Sequence, residues 1–179
     1  MIVKETTPMG FTVSPMTPED TEVVTDIRLQ SWLDTYVNEA AGVSREWVEA
    51  RNAEQRTPAK AQARKERLED HNVTGWVARS DSGIVIGAVT PYREADGTQH
   101  LGSLYVTTEW HGKSVGAALM QKVLAWADPK SPLVLGVVSY NERAKAFYRK
   151  WGFEEVPGSE AIFENTMPEV KMIWKGTKQ

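Results

Sequence analysis

Hydrophobic and polar positions follow different periods in different parts of the chain, and the changes mark its elements. Residues 11–16 read as a short strand. Thr17-Pro18-Glu19-Asp20 follows, with an N-cap candidate, proline at the first helical position and acids in the first turn. Leu29, Trp32, Leu33 and Tyr36 then recur at i, i+3, i+4 and i+7, which gives that helix one apolar face. Gly42 can break it, and Ser44 can cap a second helical stretch through Trp47 and Val48. Residues 59–69 are charged and helix-prone, a solvated helix by pattern.

The period shortens after residue 70. Residues 74–78 and 84–90 are β-prone runs separated by Arg79-Ser80-Asp81-Ser82-Gly83, a hairpin signal with glycine for the turn. Asp96-Gly97 marks a second turn, and residues 101–106 read as another strand. The segment Trp110-His111-Gly112-Lys113-Ser114-Val115-Gly116-Ala117 leads into a helix with Val115, Leu119, Val123 and Trp126 on one side; Pro129 and Pro132 end it. Residues 133–138 form a dense apolar run, read as a buried strand. Residues 141–150 are helical, Gly152 stops them, and 153–156 and 170–174 are short strands. The pattern predicts opening helices, an antiparallel meander and then strand–helix–strand–helix–strand, an α/β (α+β) fold around a central sheet.

Composition narrows the chemistry. The 179 residues fit a single domain, structured over about 11–174, with a tail after Trp174 that should fray. There is no cysteine, which excludes disulfides, cysteine-ligated metals and a cysteine nucleophile. Only His71, His100 and His111 could contribute imidazole, so no metal centre is expected. A net charge of -3 with no basic block argues against nucleic acid as a partner. The N-terminal residues lack the basic and apolar regions of a signal peptide, and no apolar run approaches the ~18 residues of a membrane span. A cytoplasmic protein is the expectation.

The strand–loop–helix around 101–127 offers free amides at a helix start, the usual seat for a phosphate. Simple chain reversal explains the same glycines equally well. The second segment shifts the balance: Asn141 caps a helix, Ala144 is small, and Tyr148 lies seven residues on, on about the same face. Together, Tyr105-Val106, His111-Gly112-Lys113-Ser114-Val115-Gly116 and Asn141-x-x-Ala144-x-x-x-Tyr148-x-x-x-Gly152-Phe153 resemble the GNAT superfamily of acyl-CoA-dependent N-acyltransferases. The stretch Trp32-x-x-x-Tyr36 resembles the first helix of many members. The C-terminal arrangement is also similar to bacterial spermine/spermidine acetyltransferases. Ser114 departs from a loop glycine of the family, and His111 from its usual Arg or Gln. Serine fits that place if its dihedrals are helical; a positive φ would strain it.

The resemblance implies a mostly antiparallel sheet flanked by helices, with a splayed parallel strand pair holding acetyl-CoA. It implies that the backbones of Tyr105 and Val106 bond the pantetheine arm. The amides from His111, Gly112, Lys113, Ser114, Val115, Gly116 and Ala117 would hold the pyrophosphate, with charge added by His111, and Asn141 would contact the thiol end. Tyr148 would protonate the leaving thiolate; a core tyrosine is the plainer alternative. His100, at the start of the strand before the loop, is a candidate general base against the more ordinary reading of a strand-end histidine; Glu109 is a second candidate. Trp32 and Tyr36 would line the site of a small amine acceptor. A protein N-terminus or lysine acceptor, and a non-catalytic acyl-CoA-binding regulatory module, stay open. The edge of strand 170–174 could pair two copies as a homodimer.

Overall fold

Why the chain folds as it does is clearest where its caps sit. In the computed structural model, residues 6–7 and 10–176 are described; the end of the tail, 177–179, and most of the N-terminal segment lie outside them. A short β1 (Thr6–Thr7) pairs with β2 (Phe11–Pro15). Pro18–Asp20 forms a 3-10 turn in which the Asp20 carboxylate accepts from the Thr17 backbone N–H at 3.0 Å, opening α1 (Thr21–Thr35). Ser44 caps α2 (Arg45–Gln55) by accepting from Trp47 N–H at 3.1 Å, and Pro58 starts α3 (Pro58–Glu69). The meander follows as β3 (Trp76–Ser80), β4 (Val85–Arg93) and β5 (Gln99–Val106). Then come α4 (Val115–Trp126), β6 (Leu133–Val138), α5 (Glu142–Lys150), β7 (Glu154–Glu155), β8 (Ala161–Phe163) and β9 (Met167–Trp174).

The strands make one sheet in the order β1-β2-β3-β4-β5-β6-β9-β7, with β8 also on β9. Every described pairing is antiparallel except β5–β6. The mixed fold with a parallel pair is therefore present. One sheet face packs on α4 and α5 through Leu119, Met120, Val123, Leu133, Met172 and Phe153, all essentially sealed from solvent. Each such side chain contributes roughly 1.5–3 kcal/mol by leaving water. The other face carries α1 and α2 over Val77, Val85, Ala88, Val138 and Met167, with α3 packed against α1 and α2.

One sequence expectation fails here. Strand 170–174 is not a free edge: β9 pairs with β6 on one side, while on the other Glu154 and Glu155 of β7 pair with Ile173 and Met172. The reason is local. Gly152 turns the chain left-handed after α5 (φ 85°) and returns it along β9, so that edge offers no seam for a second copy.

Candidate active site

Strands β5 and β6 touch only at one end. Their pairing covers Gln99↔Leu133 and His100↔Val134, after which they separate. The cause lies on the other side of β5, where the register against β4 shifts between Thr90 and Pro91 and leaves Gly102 as an extra residue. A bulge adds twist and turns the rest of the strand away from its parallel neighbour. The wedge so opened is a cavity of about 440 Å³. Thr107 N–H bonds the Ile86 carbonyl at 2.9 Å. By alternation along an antiparallel ladder, the main-chain groups of Tyr105 therefore face Ala88, and those of Leu104 and Val106 face the wedge.

At the wide end of the wedge the chain enters α4. Gly112 (φ 75°) and Ser114 (φ 65°) are both left-handed, and the Ser114 side chain makes no capping bond. The first intrahelical bond runs from Ala118 N–H to the Ser114 carbonyl, so the amides of Val115, Gly116 and Ala117 have no partner within the helix. They line the cavity. Three aligned donors and the helix dipole make a seat for an anion.

His111 is committed on both ring nitrogens. Its Nε2–H donates to the Val106 carbonyl at 2.9 Å, and its Nδ1 accepts from the Arg143 guanidinium at 2.6 Å. That pattern requires hydrogen on Nε2 and a lone pair on Nδ1, an uncharged ring. The cation at this end of the cavity is Arg143, in the first turn of α5, where it opposes the helix dipole. Asn141 caps the same helix by accepting from Ala144 N–H at 3.1 Å and also lines the cavity.

Three phenols converge where the wedge crosses the sheet. Tyr148 of α5 is buried against Phe147 and Phe153. Tyr36 comes from the end of α1, and Tyr105 from β5. The Trp32 indole N–H donates to the Tyr105 hydroxyl at 3.0 Å. Burial pushes the Tyr148 phenol well above its ordinary value, and Tyr105 adds to the rise. Burial also raises Tyr36, with Tyr105 and Tyr148 contributing. Tyr36 and Tyr148 therefore keep their protons, and Tyr105 interacts with both.

Residues 39–153, more than half of the chain, match the model of the acetyltransferase (GNAT) family. The chain belongs to this family. Uncharacterized N-acetyltransferases of Mycobacterium bovis and of two Mycobacterium tuberculosis strains are 42% identical over 79 residues, 43% of this chain and 50% of each relative. The match thus spans about half the length of these curated relatives. Among solved structures, the PaiA N-acetyltransferase of Thermoplasma acidophilum in complex with coenzyme A superposes with a TM-score of 0.70 at 22% identity, covering 91% of this chain and 98% of that one. A phosphinothricin acetyltransferase of Sinorhizobium meliloti in complex with AcCoA gives 0.69 at 17%, covering 93% and 88%. At such identities the likeness is one of fold.

Within this GNAT scaffold the cavity brings together Tyr36, Tyr105, Val106, His111, Gly112, Ser114, Val115, Gly116, Ala117, Asn141 and Tyr148. Lys113 does not join them; its ammonium lies 5.0 Å from the Trp110 ring centroid. Trp32 sits behind Tyr105 rather than on the cavity wall. His100 lies at the closed end of the wedge, stacked on Tyr92 at 4.9 Å with Nε2 3.1 Å from the Glu94 carboxylate. It is five residues along β5 from Tyr105, roughly 17 Å at strand rise. A base at that distance cannot reach a reacting amine, so the geometry removes His100 from the site. Tyr105 likewise contributes its side chain, and Leu104 takes its place as a source of free main-chain groups beside the Val106 N–H, the Val106 carbonyl already accepting from His111.

Sequence reading missed Arg143, Gly136 and the cavity-lining Ser31 and Thr35 of α1. A signal existed for Arg143, since a cation in the first helical turn is unfavourable unless it serves an anion. Among the described residues no helix is long and apolar enough to cross a membrane. No described group of three or more His, Asp or Glu could hold a metal ion.

Ser114 carries a testable cost. A side chain in the left-handed region costs about 1–2 kcal/mol, against about 0.5–1 kcal/mol of extra chain entropy for glycine. Ser114→Gly is therefore expected to leave stability level or raise it by up to about 1 kcal/mol, a Tm gain of about 4 °C or less. Calorimetry checks this. A Tm loss would mean that serine makes a compensating bond.

Proposed function

We propose that this protein transfers an acetyl group from acetyl-CoA to a small primary amine by direct attack in a ternary complex. The observation that carries the reading is one cavity uniting an anion seat at α4, opened main-chain groups on β5 and a buried phenol. These fit the cofactor's parts: a pyrophosphate at the amides of Val115, Gly116 and Ala117, and a polyamide arm along Leu104 and Val106. When bound, acetyl-CoA supplies the thioester. Asn141 has its oxygen occupied as a helix cap, which leaves its amide N–H groups for the arm. Arg143, oriented by His111, adds charge for a phosphate. Tyr148 keeps its proton and holds it toward charge developing on sulfur. The amine enters from the α1 face, past Ser31, Thr35 and Tyr36. The likeness of the C-terminal motif to spermine/spermidine acetyltransferases supports a polyamine-sized acceptor. With no cysteine in the chain, no acyl-cysteine intermediate can form.

Thiol release from acetyl-CoA against spermidine, butylamine, tyramine and a tripeptide with a free N-terminus tests this. Release that depends on an amine, with intersecting double-reciprocal lines, is the expected result. Acetyl-CoA binding without release by any amine would point to a regulatory acyl-CoA module instead.

A further expectation separates Arg143 from His111. Losing one charge-assisted contact costs about 1.5–3 kcal/mol, so Arg143→Ala should weaken acetyl-CoA binding about 10-fold or more. Because His111 Nδ1 accepts from Arg143 in this arrangement, wild-type affinity should stay within about twofold from pH 6 to 8.5, the range over which an ordinary imidazole loses its charge. Isothermal titration at several pH values measures both; a steep fall with pH would restore the charge to His111.

A further inference from the structure

Over Gly136 of the cavity wall, on the α1 face, stands a carboxylate that none of the roles above uses. Glu169 lies on β9 opposite Val138 of β6, on the same sheet face as Gly136 and Met167. Its Oε2 sits over Gly136: a Cβ added there would come within 3.4 Å of that oxygen. Gly136 lines the cavity and Glu169 does not; the glycine leaves the carboxylate next to a residue of the cavity wall, with no side chain at that position between them. The Glu169 carboxylate makes no hydrogen bond or ion pair to a described residue. Arg51 of α2, the cation whose charge acts on Glu169, is already taken. Its Nε and Nη2 donate to the two oxygens of Glu164 at 2.9 and 3.2 Å, and its guanidinium stacks 3.8 Å from the Trp32 ring centroid. Tyr36, which lines the cavity with Tyr105 and Tyr148, interacts electrostatically with Glu169. Lys171 is the neighbouring cation on β9, and β6 brings no charge.

A half-buried carboxylate without a partner is costly, and a fold keeps it only where something completes it. We propose that Glu169 is the catalytic carboxylate that receives the acceptor's ammonium group and takes its proton. This rests on the acetyl-transfer reading above and names the acceptor's chemistry: a cationic primary amine. The ammonium gives one proton to Glu169. The freed nitrogen forms a bond to the acetyl carbon, the carbon–sulfur bond breaks, and the electron pair leaves with sulfur. The second proton of the attacking nitrogen passes to sulfur, with Tyr148 hydrogen-bonded to it, and Glu169 returns its proton to water. The net products are the acetamide, free thiol and one proton.

Charge and burial bear on the working pH. Burial raises Glu169 above its ordinary value, Glu164 adds to the rise, and Arg51 opposes it. A carboxylate so raised accepts a proton more readily at the acid side of neutrality, and it destabilises the fold once ionised. Glu169→Gln should therefore raise Tm at pH 7.5, with the gain vanishing toward pH 4, where both forms are neutral. A purely structural glutamate would give a loss.

The deciding experiment compares wild type with Glu169→Gln and Glu169→Asp. Acetyl-CoA affinity is measured by titration, spermidine affinity in the presence of coenzyme A, and thiol release with spermidine and butylamine from pH 5.5 to 9. Glu169→Gln should keep acetyl-CoA affinity within about twofold, weaken spermidine about 10-fold and lower kcat/KM for the amine about 100-fold or more, with Glu169→Asp partly restoring it. Its acid limb should flatten. Amine turnover within threefold of wild type, with acetyl-CoA binding intact, overturns the assignment of Glu169 and leaves acetyl transfer standing. Wild type that binds acetyl-CoA but releases no thiol with any amine overturns the acetyl-transfer reading, and this assignment with it.

Discussion

Replacing Tyr148 by phenylalanine should lower kcat about 100-fold or more while leaving KM for acetyl-CoA within a few-fold. The reasoning begins with packing. Tyr148 is buried between Phe147 and Phe153, and phenylalanine fills the same volume, so the core should keep its shape. Only the hydroxyl is lost, at the point where the phenols of Tyr36 and Tyr105 approach. If that hydroxyl meets negative charge forming on sulfur, its loss removes stabilisation that exists only in the transition state. Such losses appear in kcat and kcat/KM together and spare ground-state binding. Because burial raises this phenol, it stays protonated across the whole working range. It acts as a hydrogen-bond donor at any pH at which the enzyme survives, and no alkaline fall in rate should trace to it. A rate profile in which wild type and Tyr148→Phe share their limbs but differ in height is the expected pattern. Unchanged turnover would make Tyr148 a core tyrosine.

How much of this was legible in the sequence depends on the range over which each feature is set. The helix of Asn141, Ala144 and Tyr148 is local: a cap, a small residue and a phenol two turns on are fixed by helical spacing alone. The structure reproduces that stretch, down to the left-handed Gly152. The anion loop was half legible. Its glycines and following apolar stripe predict a helix start, yet the positive φ of Ser114 depends on how the chain leaves β5 and is not written in the residue type. His100 illustrates the opposite case. Its place on a strand before the loop was read correctly, but which end of the strand opens is decided by the bulge opposite Thr90 and Pro91. Glu169 belongs to pairings of higher order still. Strand β9 reaches Met167, and only its register against β6 sets the carboxylate over Gly136. The two short strands on its outer side close an edge that sequence alone left open.

The bulge itself should therefore govern the site, and Gly102→Ala tests that with a large effect. A Cβ at Gly102 would lie 2.9 Å from the Thr90 carbonyl oxygen and 3.0 Å from the Tyr92 ring. The oxygen belongs to the β4–β5 ladder and cannot withdraw without breaking it. The ring can move only by leaving its stack on His100. Overpacking of this kind costs about 1–3 kcal/mol, which for a chain of this size lowers Tm by about 2–10 °C. The strain falls at the point where β5 turns from β6, and Gly102 lines the cavity, so acetyl-CoA affinity should drop as well, by about 10-fold or more. Gly116→Ala provides the contrast. There a Cβ meets the Phe147 ring at 3.5 Å, an ordinary contact, and alanine favours the helix by about 0.5–1 kcal/mol. It should keep or raise Tm and weaken only the anion at α4. If both variants lose affinity but only Gly102→Ala loses Tm, the wedge is set by the bulge. A Gly102→Ala protein with wild-type Tm and affinity would place the cause of the splay elsewhere, in the crossover through α4 that carries β5 into β6.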